Sequence, residues 1–407
     1  MKKSSLLSLF YLWLSCSSVV IASIFYFNKS AVNAIIALKD FPVYLFLLFL
    51  FFVKKNVSVE ISILKKYLPL FIFLLPSFFI SDADGMVKFA SIRQIISFFI
   101  LVLFGASLGG SEYVANKSQK KLVVIILFVC FFGLFEYFTE LWSSGFLTPF
   151  FESKSIAILA SGYPFFFIEP LPIFLQNIFD GGEIVRLTST FLDPINLGHT
   201  LVLFISMIIF TKKNEDISFH HRVFVLLLFT LCLFLTFSKG AWLQLILVIL
   251  FFTKKISGLL KILCFALVAL LIMILSVSHE GLALHLIGTA ASFTSISLLG
   301  HGLGLVGNYA AMFGQQLDLG IGDSFLGLLL GQIGLIGFLI WIFTMRSIYL
   351  ALPEKSVYRI ILISQLLIAT ISENAFNFMS ISALGITIGL EISKNSYVTS
   401  YKRIQKE

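Results

Sequence analysis

The sequence predicts an all-α polytopic membrane protein, and three observations support this. Hydrophobic residues make up 58% of the 407 residues and charged residues only 12%, which leaves too little polar surface to solvate a globule of this size. Long apolar runs recur along the whole chain. Lys and Arg cluster between every second pair of runs, as expected for loops that face the cytoplasm. We therefore expect a single integral membrane domain over residues 1–407.

About twelve apolar runs are candidates for membrane-spanning helices, since a span needs about twenty largely apolar residues. The first has a basic start like a signal peptide, but it is too long and lacks a small-residue cleavage pattern, so we expect it to remain as a helix. The runs lie near residues 6–26, 38–53, 67–80, 89–107, 121–142, 195–211, 223–238, 240–253, 258–277, 323–345, 358–377 and 380–393.

The positive charges predict the orientation of these helices. The chain starts with Lys2 and Lys3, and its tail from Lys394 to Lys406 is also basic, so both termini are predicted to be cytoplasmic. The formal charge of +8 needs no nucleic-acid partner, because the positive-inside rule already accounts for it. The intervening basic clusters are Lys54, Lys55, Lys65 and Lys66; Lys117, Lys120 and Lys121; Lys212, Lys213 and Arg222; Lys254 and Lys255; and Arg346 and Lys355.

Two connections are long, and both fall on the outer side in this topology, at residues 143–194 and 278–322. Long loops are unusual in compact proteins unless they have a function. The first is rich in proline and aromatic residues, which favours short helices in the membrane interface. The second contains the segment HGLGLVGNY, from His301 to Tyr309.

A few cations are not explained by the cytoplasmic loops. Arg93 lies about a turn inside its helix, where a guanidinium is costly unless it is paired or faces a polar cavity. Arg186 precedes an apolar helix, and Lys239 lies at a tight outer turn. Converging cations at this place suit a phosphate or pyrophosphate, although each could instead anchor a helix end at the interface.

Four segments share an order and spacing with a known group. Residues 186–198 read Arg-x-x-Ser-x-Phe-x-x-Pro with a later Gly, and residues 236–240 read Thr-Phe-Ser-Lys-Gly. Residues 299–304 read Leu-Gly-His-Gly-Leu-Gly, and residues 323–337 join Asp-Ser through nine residues to Gly-x-x-Gly. This set resembles the O-antigen polymerase and O-antigen ligase superfamily, the Wzy-type polymerases and WaaL-like ligases. The resemblance covers roughly the second half of the chain.

Two departures from the family pattern affect the prediction. Lys239 stands where Arg is commoner, and Asp323 stands where the ligases have a histidine. The role implied for that histidine does not carry over to a carboxylate. The resemblance therefore favours a polymerase over a ligase.

The resemblance implies a GT-C-like membrane glycosyltransferase of the bacterial inner membrane with a periplasmic active site. Its reaction moves a glycan from undecaprenyl pyrophosphate to a sugar hydroxyl of an incoming lipid-linked repeat unit. The leaving pyrophosphate needs electrostatic stabilisation more than a proton, so no metal or other cofactor is required. The implied partners are undecaprenyl-pyrophosphate-linked oligosaccharides, the lipid bilayer and a chain-length regulator protein.

The resemblance and the chemistry together assign roles to individual residues. Arg186, Lys239 and Arg93 are the expected pyrophosphate ligands. Asp323 and His301 are candidates for the general base that activates the acceptor hydroxyl. Asp323 could instead cap the following helix, and His301 could be a solvated loop residue.

Other polar residues near the outer helix ends are candidates for glycan binding. Asn196 and His199 are three residues apart on one helix and could face one cavity, although both could also be interfacial. Glu373 and Asn374 are expensive to bury, so they could line the glycan cavity or bind another helix. Glu136 and Glu140 could contact sugar hydroxyls, but the helix end gives them an easy route to water.

Two alternatives to a polymerase stay open at this point. The first is a ligase that transfers the finished glycan to lipid A core or another acceptor. The second is a non-enzymatic polysaccharide transporter or flippase. The two large outer loops, and the lack of an evident repeat of broken helices, argue against a transporter.

Overall fold

The fold is known from a computed structural model, and it is almost entirely helical. The residues it describes are 3–27, 41–53, 58–144, 147–152, 168–170, 183–210, 219–252, 280–312, 314–317, 319, 321 and 323–404. The helices are α1 Lys3–Phe27, α2 Phe41–Val53, α3 Ser58–Ile80, α4 Gly85–Leu108, α5 Glu112–Thr139, α6 Thr148–Glu152, α7 Pro194–Phe210, α8 Phe219–Leu235, α9 Lys239–Phe252, α10 Glu280–Thr294, α11 Asn308–Met312, α12 Phe325–Ala351, α13 Val357–Ala369 and α14 Phe378–Ile404.

Short elements complete the described part. Two three-residue strands, β1 Ile168–Pro170 and β2 Glu183–Val185, pair antiparallel. Three 3₁₀ turns lie at Leu141–Ser144, Ser189–Phe191 and Glu373–Phe376.

The chain is a helical membrane protein, as its composition predicts. Within the described residues, six helical stretches are long and apolar enough to cross a bilayer, and α7, α8, α9 and α13 are shorter apolar helices. Every predicted apolar run overlaps a described helix except 258–277, which lies outside the described residues. The six stretches are Ser4–Ile24, Glu60–Ile80, Gly85–Leu108, Glu112–Thr139, Phe325–Ala351 and Glu373–Tyr397.

Some predicted segments differ in extent from the helices of the structure. The outer segment 278–322 contains a fifteen-residue helix, α10, and the run at 358–377 stops being α-helical at Ala369. Glu373 and Asn374 therefore lie in a 3₁₀ turn between two helices rather than on a helix end. Lys65 and Lys66 lie inside α3, and Lys117 inside α5, so these basic residues are helical. Most of the segment 153–182 lies outside the described residues.

The described residues divide into two compact units. The first comprises Met1–Lys54 with Glu112–Trp242, and the second comprises Lys55–Ser111 with Leu243–Glu407. In the first unit, α1 packs on α5, and α7 packs on α8. The 3₁₀ turn at Ser189–Phe191 contacts α1, α5 and α7, so it lies in the interior of this unit. The single membrane domain expected from the sequence stays a prediction.

The second unit is built on a close pair of helices, α4 and α14. Both helices carry a Gly-x-x-x-Gly motif, Gly105 with Gly109 and Gly385 with Gly389. A Cβ added at Gly105 would lie 2.1 Å from the Ile386 carbonyl oxygen. The absence of a side chain at Gly105 and at Gly389 lets the two backbones touch, which stabilises helix pairs where no hydrophobic effect drives association.

Helix α12 is broken in its middle, which differs from the single continuous helix that the sequence predicts. Gly334 has φ 64° and ψ −172°, which removes the helical bonds from Leu335 and Ile336 back to the carbonyls of residues 331 and 332. Leu335 N–H donates instead to Ser297 O (3.0 Å) and Ile336 N–H to Leu298 O (3.1 Å).

The break also leaves the carbonyls of Gly331 and Gln332 without their helical partners, and amides of a loop bind them instead. His301 N–H donates to Gly331 O at 2.7 Å and Gly302 N–H to Gln332 O at 3.3 Å. Gly300 has φ 84°, and a Cβ there would lie 2.3 Å from Gln332 O, so only glycine fits the loop at this point. The segment 297–302 thus replaces the helical hydrogen bonds that α12 loses, as a non-helical backbone inside a membrane protein requires.

Candidate functional site

The predicted site residues fall into two sets, one in each unit. The first set surrounds Arg186, whose Nε donates to the Thr236 carbonyl at 2.9 Å. The next residue, Leu187, donates its N–H to Leu235 O at 2.8 Å, so this segment is fixed to the end of α8. Arg186 is buried, with 7% of its surface exposed. The structure therefore brings Arg186 to Thr236, which is fifty residues away in the chain and belongs to the turn that precedes Lys239.

Lys239 is the exposed first residue of α9. Ser238 precedes it, and the Ser238 Oγ accepts the Ala241 N–H at 3.4 Å, which is the position of a helix cap. Lys239 thus adds a full positive charge to the partial positive charge of a helix N-terminus. An anion placed there would meet both charges.

Asn196 and His199 lie on the first two turns of α7, and both are buried. The Asp193 carboxylate accepts the N–H groups of Ile195 (2.8 Å) and Asn196 (3.2 Å), and its second oxygen accepts the Asn196 Nδ2 at 2.8 Å. Asn196 is therefore part of the capping structure of α7. A Cβ added at Gly198 would lie 2.9 Å from the Ala241 Cβ, so the start of α7 packs on the start of α9.

The second set centres on Asp323. The predicted alternative, in which Asp323 caps α12, is wrong, because Ser324 is the cap and its Oγ accepts the Gly327 N–H at 3.0 Å. Asp323 precedes the helix with φ 29°, a conformation that is unfavourable for a residue with a side chain. Its Oδ1 accepts the Asn308 Nδ2 at 3.3 Å, and the side chain is half-buried.

Glu373 connects the segments around Asp323. Its backbone N–H donates to Asp323 O at 3.0 Å, its Oε2 accepts the Asn308 N–H at 2.9 Å, and its Oε1 accepts the Gln94 Nε2 at 3.0 Å. Only 1% of its surface is exposed. Asn308 thus bridges two carboxylates, donating from its side chain to Asp323 and from its backbone to Glu373.

His301 is oriented by the loop that covers the break in α12. Its Nε2 lies 2.9 Å from the Ser295 carbonyl oxygen. A carbonyl can only accept, so Nε2 carries the proton, and in the neutral ring Nδ1 is the proton acceptor. The side chain is half-buried, so the alternative of a freely solvated loop histidine does not describe it.

Arg93 and Asn374 complete the predicted residues of this unit. Arg93 is buried on α4, one residue before the Gln94 that binds Glu373. The Asn374 carbonyl accepts the Ser380 Oγ at 2.7 Å, and its side chain is half-buried. The roles of both residues stay predictions.

Sequence reasoning missed two members of this set, Gln94 and Asn308. Gln94 is a polar residue inside an apolar run, which is the signal that could have found it. The sequence predicts that Glu136 reaches water at its helix end, which gives this residue little weight as part of a site. Glu136 is buried with 2% exposure, whereas Glu140 is exposed as expected.

The chain matches no protein-family model and no curated protein with which it was compared.

Proposed function

We propose that this protein is an O-antigen polymerase, a membrane glycosyltransferase that joins undecaprenyl-pyrophosphate-linked repeat units into a polysaccharide. The reaction breaks the bond between the anomeric carbon of the donor glycan and the pyrophosphate oxygen. It forms a bond between that carbon and a hydroxyl of the acceptor sugar. The hydroxyl proton goes to a general base, and undecaprenyl pyrophosphate leaves as an anion.

The observation that carries the proposal is the position of Asp323. Since Ser324 caps α12, the carboxylate of Asp323 is not needed for that structural role. It is held in a strained conformation by Asn308 and by the backbone of Glu373, and strain of this kind concentrates at functional sites. A positioned carboxylate is a suitable base for a sugar hydroxyl. His301, with Nδ1 as proton acceptor, is the second candidate base.

Arg186 and Lys239 supply the positive charge that the leaving pyrophosphate requires. A guanidinium has five N–H donors in a planar fork, and the bond from Nε to the Thr236 carbonyl orients this fork. Lys239 adds a point charge at the N-terminus of α9. A donor held in place, as Arg186 is, stabilises developing negative charge without reorganising during the reaction. Arg93 is the third cation that the proposal assigns to pyrophosphate.

The finer architecture belongs to the same proposal. It includes about twelve spans in a GT-C-like arrangement, an inner-membrane location, cytoplasmic termini and a periplasmic active site. Asn196, His199, Glu373 and Asn374 are its glycan-binding candidates, and a chain-length regulator is a proposed partner. The break in α12 does not favour a transporter, because loop amides occupy the Gly331 and Gln332 carbonyls that would otherwise coordinate an ion.

The test is the ladder of surface glycan on lipid A core in a strain deleted for the gene and in the complemented strain. Core that carries a single repeat unit in the deletion strain identifies the polymerase. Bare core with polymer accumulating on the lipid carrier identifies a ligase instead. An unchanged ladder in the deletion strain contradicts both assignments.

Point variants then test the two sets of residues separately. Arg186→Ala is expected to abolish long chains, while Arg186→Lys retains part of the activity because the charge remains without the fork. Asp323→Asn preserves size and hydrogen bonding but removes the base, so it is expected to lower polymer output by about 100-fold or more. Protein levels in the membrane must match wild type. Normal ladders from both Arg186→Ala and Asp323→Asn would contradict the assigned roles.

A further inference from the structure

Glu136 is a buried carboxylate that the proposed mechanism does not use. It lies one turn before the end of α5, within the membrane-spanning stretch Glu112–Thr139, and 2% of its surface is exposed. An ionisable side chain enclosed in a membrane helix bundle is costly to keep and is commonly functional. Glu140, one turn further on, is exposed, so the chain offers the same residue type with and without burial.

The burial of Glu136 is caused by the 3₁₀ turn at Ser189–Phe191. A Cβ added at Gly133, one turn earlier on α5, would lie 2.8 Å from the Ser189 Cβ, so this turn sits directly on the helix. The Ser189 Oγ donates to Val129 O at 2.6 Å, which fixes the turn to α5 two turns before Glu136. Ser189 has φ 50°, a left-handed conformation that is uncommon for a residue with a side chain.

Polar atoms at this place lack partners among the described residues. Glu136 Oε2 makes no hydrogen bond, and neither does the Oγ1 of Thr188, which adjoins Ser189 and is 0% exposed. The Oγ1 of Thr200, on the α7 helix that also contacts this turn, is in the same state. Buried polar atoms are normally satisfied, so an unpaired carboxylate oxygen on α5 and an unpaired hydroxyl in the segment packed on α5 indicate a place for a ligand with hydroxyl groups.

We propose that Glu136 binds a hydroxyl of the glycan carried by the lipid-linked substrate. The sugar O–H donates to Oε2, while the Thr188 hydroxyl is available as a second contact. Arg186 lies two residues before Thr188, so one short segment would contact both the pyrophosphate and the first sugars. This inference rests on the proposed function, and it assigns to the first unit a glycan contact that Asn196 and His199 were expected to provide.

The experiment compares two ligands on the full-length protein in lipid nanodiscs. One probe is undecaprenyl pyrophosphate, and the other is undecaprenyl pyrophosphate carrying a single repeat unit, extracted from the deletion strain. Glu136→Gln keeps the size of the side chain and replaces one carboxylate oxygen with an amide nitrogen. We expect it to weaken binding of the glycan-bearing probe by about tenfold or more and to leave the pyrophosphate probe unchanged.

Controls separate this role from folding and from the proposed function. Glu140→Gln makes the same chemical change at an exposed site and is expected to alter neither affinity. Arg186→Ala is expected to weaken both probes. Thr188→Val should weaken only the glycan-bearing probe, and it keeps the proposal testable if Glu136→Gln does not fold.

Two results would overturn the glycan contact and leave the polymerase proposal intact. One is an unchanged affinity of Glu136→Gln and Thr188→Val for the glycan-bearing probe. The other is an equal loss of affinity for both probes, which indicates a structural role. Failure of the polymerase proposal is distinguished by a wild-type protein that binds neither probe and by a normal glycan ladder in the deletion strain.

Discussion

Replacing Gly105 with alanine is expected to force α4 and α14 apart. The new Cβ would lie 2.1 Å from the Ile386 carbonyl oxygen, and an ordinary contact begins at 3.4 Å. The two helices must therefore separate by about 1.3 Å, the difference between these distances. No flexible side chain can give way, because the nearest atoms all belong to the Ile386 backbone.

The expected cost follows from two opposing terms. Overpacking costs about 1–3 kcal/mol. We use the upper end of this range, about 3 kcal/mol, because the clash is with a helix backbone that cannot easily move. Alanine has a higher helix propensity than glycine, which offsets about 1 kcal/mol. The net loss in the free energy of unfolding is about 2 kcal/mol. Gly85→Ala is the matched control on the same helix, because a Cβ at Gly85 meets nothing within 4 Å.

The assay is heating of the detergent-solubilised protein with a C-terminal fluorescent fusion, followed by size-exclusion chromatography of the remaining folded fraction. We expect the midpoint of Gly105→Ala to fall by several degrees, at about 2–4 °C for each kcal/mol. Gly85→Ala should match or slightly exceed wild type. Equal midpoints for the two variants would refute the backbone contact between α4 and α14.

Three further predictions use the same heating assay. Ser324→Ala should lose about 1 kcal/mol because Ser324 is the α12 cap, whereas Asp323→Asn should stay within about 0.5 kcal/mol of wild type; the reverse order would return the cap to Asp323. Gly334→Ala should lower the yield of folded protein, since its φ of 64° and a contact of 2.2 Å leave no room for a side chain, and a normal yield would argue against the break. Glu373→Gln should lose about 1–3 kcal/mol because one of two donors to the carboxylate is left unsatisfied, while the exposed control Glu354→Gln should be neutral.

The sequence predicts the helices well because each span needs a long apolar run, and such runs are visible without any knowledge of packing. It does not predict which helices pair. Gly105 and Gly389 belong to Gly-x-x-x-Gly motifs that are readable one at a time, but their partnership across some 280 residues depends on the tertiary fold.

The candidate site also contains residues whose roles the sequence alone does not determine. Asp323 and Ser324 are both good helix caps, so spacing alone cannot decide between them, and only the hydrogen bond from Gly327 does. Glycine is common in membrane helices, so the presence of Gly334 does not predict that α12 is broken. Glu136 near a helix end could face water or protein, and the 3₁₀ turn at Ser189 that packs on the same helix is distant in sequence.

The break in α12 also sets an order for biogenesis. Residues 297–302 leave the ribosome before residues 331–336, which hold their hydrogen-bond partners. Until α12 is synthesised, the His301 and Gly302 amides lack the carbonyls that they bind in the folded protein. The loop therefore acquires its final conformation late, and a chain that stops before Gly331 would leave His301 and its neighbours without the backbone groups that position them.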